Sequence, residues 1–220
     1  MDNKDHNVTP TDDPHEFWDA RYASASSVWS GQVNAALAAV VEPLDPGSAL
    51  DLGSGEGGDV CWLAQRGWFA TGVELSAVAV ERARKLAEAA GCQDRARFIA
   101  DDLTTWRPPS GQRYDLITAS FLQSPVRLER ASILWEISRY LTPGGRMVIL
   151  AHAKPPAWLA GTGPGLRRSL HPTKISPRLS STRIVGSWSA PTPSSAKRPV
   201  PRASPACGKI PSLLFALRSW

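Results

Sequence analysis

Between residues 48 and 152 the chain alternates short apolar runs with amphipathic stretches. Ala49-Leu50-Asp51-Leu52, Phe69 to Glu74, Phe98-Ile99-Ala100, Leu116-Ile117-Thr118-Ala119 and Met147-Val148-Ile149-Leu150 are nearly continuous in apolar character. Strands buried on both faces read this way, and such strands belong to parallel sheets. Between them, Val60, Cys61, Leu63 and Ala64, and then Ala79, Val80, Ala83, Leu86, Ala87 and Ala90, recur at helical spacing. The pattern predicts strands at about 48–52, 69–74, 96–100, 114–119 and 146–152. It predicts helices at 14–22, 33–42, 58–66, 77–90 and 127–141. Ser76 caps the fourth helix, Gly91 ends it, and Leu128, Ala131, Ile133, Leu134 and Ile137 face inward on the fifth. Strands alternating with helices imply an α/β fold: a Rossmann-like, doubly wound, mainly parallel sheet with helices on both faces. A ligand then belongs at the carboxyl ends of the strands.

The first strand stops at a glycine cluster, Gly53-Ser54-Gly55-Glu56-Gly57-Gly58, and a helix follows. Glycine tolerates positive φ and lets a ligand approach the backbone closely. The free N–H groups of the helix start face that ligand. The second strand ends on Glu74, whose carboxylate can accept hydrogen bonds from the vicinal hydroxyls of a ribose. The pattern predicts a nucleoside-containing cofactor. Gly53-x-Gly55-x-x-Gly58 satisfies a dinucleotide fingerprint, which leaves an NAD(P)-dependent oxidoreductase as one alternative. Gly53-x-Gly55-x-Gly57 preceded by Asp51 equally satisfies an S-adenosylmethionine pattern. Asp51 favours the latter, because it suits an ammonium group and would repel a pyrophosphate. About 45 residues precede the glycine strand, which also departs from the usual dinucleotide domain.

The later landmarks resemble class I S-adenosylmethionine-dependent methyltransferases. Phe98-Ile99-Ala100-Asp101-Asp102-Leu103 resembles their third strand and its acid. Tyr114 to Ser120 resembles the fourth strand, and Leu141-Thr142-Pro143-Gly144-Gly145 the turn into the fifth. Within the class, residues 14 to 158 resemble the small bacterial tellurite-resistance and thiopurine methyltransferases. The segments Phe17-Trp18-Asp19-Ala20-Arg21-Tyr22 and Trp29-Ser30-Gly31 resemble that group's N-terminal lid. The alternative is that Trp18 and Trp29 only pack a helix on the sheet.

The resemblance implies a division of roles. Gly53, Ser54, Gly55 and Gly57 form the turn under the methionine part of S-adenosylmethionine, and Asp51 meets its amino group. Glu74 holds the ribose hydroxyls, with Leu75 beside the adenine. Asp102, or Asp101 if the alignment slips by one, accepts from the adenine amino group, and the Leu103 amide meets a ring nitrogen. Ser120, Phe121 and Gln123 follow the fourth strand and face the transferable methyl. Trp18, Arg21 and Trp29 belong to the lid. His152, ending the fifth strand, is a weak candidate for a base. Displacement at a sulfonium needs positioning more than proton transfer, so no obligatory catalytic residue is read. The expected partner is a small-molecule acceptor with S, N, O or a metalloid as its nucleophile. The place after the fourth strand reads Ala119-Ser120-Phe121-Leu122-Gln123, without the Asn/Asp-Pro-Pro-aromatic motif of base-modifying enzymes, which argues against nucleic acid.

Charge divides the chain. Its net +5 conceals a first part of 150 residues that holds all 20 acidic groups, and a remainder with 11 Lys or Arg and none. Eleven of the 19 prolines also lie in that remainder. The expected domain is therefore 1–158, with 1–13 flexible and 14–45 a helical lid, followed by a basic, irregular tail at 159–220. A complete class I fold ends in a further helix and an antiparallel hairpin, and those strands six and seven are expected to be missing or irregular. Arg183-Ile184-Val185 and Ser212 to Leu217 are only weak strand candidates. Three readings of the tail stand: a nucleic-acid arm, a solvating disordered tail, or sequence out of frame with its gene. The last would leave a catalytically impaired cofactor-binding domain. Cys61, Cys92 and Cys207 form no CxxC, and the four histidines do not cluster, so no metal site is expected. The start is polar and no apolar run is long enough to span a bilayer, so the expected compartment is the cytoplasm.

Overall fold

The computed structural model describes residues 13–152 and 182–189. The elements run α1 (Pro14–Ala23), α2 (Ala35–Val41), β1 (Ser48–Leu52), α3 (Gly58–Gln65), β2 (Phe69–Glu74), α4 (Ala77–Ala89), β3 (Ala96–Ala100), β4 (Tyr114–Ser120), α5 (Arg130–Ser138), β5 (Leu141–His152) and β6 (Thr182–Ser189). The sheet order is β3-β2-β1-β4-β5-β6, with the first five strands parallel. The chain reverses its winding direction between β1 and β4. A crevice opens at such a switch point, outside the carboxyl ends of these two strands.

The nearly unbroken apolar runs are explained by burial on both faces. Along β1, Ala49 faces one core and Leu50 the other; Leu116 and Ile117 divide in the same way on β4, and Val148 and Met147 on β5. One core packs Leu37, Val60, Leu63, Trp68 and Val80 from the side of α2, α3 and α4. The other packs Leu52, Val73, Ile133 and Ile137 from the side of α5. Each fully buried aliphatic chain contributes about 1.5–3 kcal/mol, and the two cores together hold the strand ends in register.

Two expectations are corrected. Helix α5 begins only at Arg130, with Glu129 as an N-cap that makes no side-chain bond. Ile133 and Ile137 are buried and Leu128 and Leu134 pack against the core, but Ala131 is exposed. The second correction concerns the sheet edge. Residues 182–189 pair antiparallel with β5, from Arg146↔Ser189 to His152↔Thr182, with an irregularity between Ile149 and Leu150. The sheet therefore does not end at β5. An open edge of unpaired N–H and C=O groups is a strong template, and the β-branched segment around Ile184-Val185 satisfies it. The rest of the tail, including Cys207 and the 212–217 run, and the flexible start expected at 1–12 lie outside the described residues.

Candidate cofactor site

The glycine turn is built by the end of β1 folding back on β2. The Gly53 and Ser54 amides both donate to the Val73 carbonyl, at 2.8 and 3.2 Å. Gly53, Gly55 and Gly57 have φ of 70°, 53° and 85°. A β-carbon on Gly55 would lie 3.1 Å from the Tyr22 hydroxyl and 3.4 Å from the Trp29 ring, so these two aromatics close over this residue. Gly57 differs: a β-carbon there would press on Ala83 and Phe98 at 2.8 Å, so its smallness serves the packing of α3 and α4. Ser54 packs over Gly72, and its buried hydroxyl has no hydrogen-bond partner among the described residues.

Glu74 faces this turn from the end of β2. One carboxylate oxygen accepts the Gly55 amide at 3.0 Å, and the other accepts the Ser76 amide at 3.0 Å. It is only 7% exposed. Burial pushes its carboxyl up from the ordinary range, against the pull of the Ser76, Gly55 and Leu75 amides, while the nearby Asp19 pushes it further up. Asp51 pairs in register with Thr118 on β4, and the Thr118 hydroxyl donates to it at 2.6 Å. Burial is the main cause that drives Asp51 well upward; Asp59 adds to it, Thr118 opposes, and Glu74 adds a little more. Asp59, in the first turn of α3, is raised by burial and accepts the Asn34 amide at 3.3 Å. Ser120 lies near enough to lower Asp59, yet its buried hydroxyl completes no bond of good geometry. Buried Asp51 and Glu74 and the half-buried Asp59 thus gather at the turn, beside the buried Ser120 hydroxyl and on the chain that carries Ser54. Carboxylates in this setting favour a ligand that brings hydroxyl donors and positive charge.

The other predicted positions divide. Asp101 follows β3 and its amide donates to the Glu74 carbonyl at 3.0 Å. Its own carboxylate accepts the Asp102 amide, and the Asp102 carboxylate accepts the Thr104 amide, both at 2.8 Å. Both acids thus shape the turn after β3, and of the two Asp102 is the less exposed; Leu103 is buried and Leu75 half-buried. Phe121 follows Ser120 with φ of 55°, a sparsely populated conformation for a bulky residue and the sole such non-glycine among the described residues. It turns the chain sharply, with the Gln123 amide donating back to the Phe121 carbonyl at 2.6 Å. Strain of this kind gathers where a backbone has to present side chains to a site. Leu122 closes against Gly53, where a β-carbon would sit 2.7 Å from it. Of the His152 side chain nothing is described.

The N-terminal segment is fastened to three of the strand ends. Trp18 Nε1 donates to Ser124 Oγ after β4 at 3.3 Å. The Ser76 hydroxyl, after β2, donates to Asp19. Glu56, inside the glycine turn, accepts the Val28 and Trp29 amides at 3.0 and 2.9 Å. Trp29 Nε1 donates to the Tyr22 hydroxyl at 3.1 Å. Trp29 is 44% exposed and not a core residue, and its ring lies against Gly55. Arg21 lies in the last turn of α1. Glu56, Asp59, Thr118 and Arg82 were not singled out by sequence reasoning, and Ser76 was read only as a helix cap. Glu56 sits at a variable position of the glycine pattern, where identity alone carries no signal; Asp59, just past the pattern, could only have been read as a favourable acid at a helix start.

Residues 49–145 match a family model described as a methyltransferase domain. Over these residues the chain is similar to class I S-adenosylmethionine-dependent methyltransferases. A probable thiol methyltransferase of Arabidopsis thaliana is 28% identical over 137 residues, covering 60% of this chain and 60% of that protein. The ribosomal RNA small subunit methyltransferase C of Alcanivorax borkumensis is 31% identical over 124 residues, 52% of this chain and 35% of that protein. A solved methyltransferase of Thiobacillus denitrificans, in complex with S-adenosyl-L-homocysteine, is 27% identical with a TM-score of 0.50, covering 62% of this chain and 56% of that one. The chain spans between 35% and 60% of the length of the curated relatives it matches. Among the described residues, no helix is long and apolar enough to cross a membrane, and no group of His, Cys, Asp and Glu could hold a metal ion.

Proposed function

We propose that this domain transfers a methyl group from S-adenosylmethionine to a small-molecule acceptor by direct displacement. The observation that carries the reading is the placement of the buried Glu74 carboxylate across the glycine turn, hydrogen-bonded to Gly55, with buried Asp51 beside it at the switch point. The acidic surroundings fit a cofactor that carries an ammonium, a sulfonium and ribose hydroxyls. They oppose a pyrophosphate, which would meet like charge from Asp51, Asp59 and Glu74. The Ser54 and Ser120 hydroxyls, buried without partners, supply further polar contacts for such a group.

In this reading Gly53, Ser54 and Gly55 hold the methionine part, Asp51 its amino group, and Glu74 the ribose hydroxyls, with Leu75, Asp102 and Leu103 around the adenine. When bound, the cofactor supplies a methyl group on a sulfonium whose thioether is a good leaving group. The protein's task is to bring an acceptor nucleophile in line and to exclude water. Ser120, Phe121 and Gln123 line the acceptor side after β4. Trp18, Arg21 and Trp29 cover the site. The distant likeness to a thiol methyltransferase supports a small acceptor with a soft nucleophile, and the likeness to a ribosomal RNA enzyme makes RNA the competitor in the test.

The test is mass spectrometry of the purified full chain, followed by calorimetry with S-adenosylhomocysteine and with NADH. Co-purified S-adenosylmethionine or its demethylated product, and measurable affinity for the latter alone, is the expected result. Radiolabelled methyl transfer to thiol, amine and hydroxyl acceptors, with ribosomal RNA in parallel, then assigns the acceptor. Affinity for NADH and none for S-adenosylhomocysteine would overturn the reading.

A further inference from the structure

The segment between α1 and α2 carries the residues that cover the glycine turn, yet residues 25–29 form no helix or strand of their own. One side chain gathers most of their bonds. The Glu56 carboxylate, 8% exposed, accepts the Val28 amide at 3.0 Å, the Trp29 amide at 2.9 Å and the Ser27 hydroxyl at 3.4 Å. Its second oxygen accepts Arg82 of α4 at 2.8 Å. The other arm of the same guanidinium donates to the Ala25 carbonyl at 2.7 Å. The segment is thus wrapped around a fixed anion, with consecutive backbone amides pointing at it, and Arg82 closes the ring from outside. Successive N–H groups arranged in this way form an anion-binding concavity. Here the anion belongs to the chain itself.

The position of that anion matters. Glu56 lies between Gly55 and Gly57, so its backbone is part of the cofactor turn. The residue it orders, Trp29, reaches back over Gly55 and is held there by the Tyr22 hydroxyl. Arg82 comes from the helix that starts just after Glu74 and Ser76. The two elements that shape the cofactor's cradle therefore supply the two side chains that shape its cover.

We propose that Glu56 is a positioning residue, the anchor on which the 25–29 segment folds, and that through it the glycine turn and its Tyr22–Trp29 cover form one unit with coupled order. This rests on the methyltransferase reading for its functional meaning, though the anchoring itself does not. A change in the turn on binding is carried directly to the cover, and loss of the anchor frees the cover and weakens binding without removing any group that touches the cofactor. Such coupling is reciprocal.

The test compares the full-length chain with Glu56→Gln and with the charge-swapped pair E56R/R82E. Amide hydrogen exchange is followed with and without S-adenosylhomocysteine, and its affinity is measured by calorimetry. Glu56→Gln should speed exchange at residues 28 and 29 by about tenfold or more in the ligand-free protein, the factor carried by one charge-assisted hydrogen bond. β1, β2 and β4 should keep their protection. Affinity for S-adenosylhomocysteine should fall by a similar factor. The swapped pair should restore neither, because arginine at 56 presents donors to the Val28 and Trp29 amides. A mere ion pair would be rescued by the swap, and that rescue would overturn the proposal. So would unchanged exchange at 28 and 29 in Glu56→Gln. If the glutamine variant fails to fold, Arg82→Met leaves the turn sequence intact; it should raise exchange across 25–29, and unchanged protection there would overturn the proposal. If the wild type binds no S-adenosylhomocysteine, the proposed function fails, and the ligand-free exchange alone decides the anchor.

Discussion

Replacing Glu74 by glutamine separates its two roles, in the turn and toward a cofactor. The wild-type carboxylate accepts the Gly55 amide with one oxygen and the Ser76 amide with the other. A glutamine has one oxygen, so its NH2 has to face one of these amides, donor against donor. One buried N–H left unpaired costs about 1–3 kcal/mol. Against this, the variant no longer buries a carboxylate whose charged form the fold already disfavours, which returns part of the loss. The expected net change is therefore small, about 1–2 kcal/mol of stability, the difference of these two effects. Cofactor affinity has no such offset. A hydroxyl bonded to a charged acceptor is worth about 1.5–3 kcal/mol, so S-adenosylhomocysteine should bind about ten- to a hundredfold more weakly. Thermal unfolding of the ligand-free variant measures the first quantity, and calorimetry the second. A variant destabilised by more than about 4 kcal/mol whose affinity is unchanged would show that Glu74 serves the turn alone, and the cofactor reading of this residue would fall.

Gly55→Val forces a β-branched residue to φ near 53° and drives its β-carbon toward Tyr22 and Trp29; at least about 1–2 kcal/mol of stability and all measurable S-adenosylhomocysteine binding should be lost, and a folded variant of normal affinity would remove this glycine from the site. Asp51, Asp59 and Glu74 have raised folded pKa values, so in the ligand-free protein their contribution to stability is largest below their unfolded pKa and declines as pH rises through the folded ones. Burial alone would push Asp115 up too, but the bonds from Ser48 and Thr142 outweigh it, so its net lowering adds stability that is lost as pH falls. Placing an ammonium beside Asp51 reverses the shift there, so S-adenosylmethionine should bind with release of protons above the ordinary carboxylate range. Calorimetry in buffers of different ionisation enthalpy measures that release, and net uptake would contradict the assignment of Asp51. Ile184→Pro deletes an N–H from the strand paired with Leu150 and should raise exchange along β5 while β1 and β2 stay protected; unchanged β5 protection would show that β6 adds nothing to the edge.

Local information determined the part of this molecule that repeats a local rule. Apolar runs gave β1 through β4 almost to the residue, because strands covered by the two cores carry mostly apolar side chains. The glycine turn and Glu74 were legible because a positive φ and an acid at a strand end each leave a mark in one place in the chain. The fastening of the N-terminal segment left no such mark. Glu56 bonds residues 27 to 29 positions away, Arg82 reaches back 57 to Ala25, and Trp18 reaches forward 106 to Ser124. Only the sheet order, which brings the ends of β1, β2 and β4 together, makes these residues neighbours. The same holds for Thr118 beside Asp51, a consequence of register between strands 67 residues apart. Strand β6 shows the limit from the other side. The composition around it, basic and rich in proline, left Arg183-Ile184-Val185 only a weak strand candidate, but pairing depends on the open edge of β5 as much as on the segment that fills it. That edge is a property of the folded sheet, and no window of the sequence contains it.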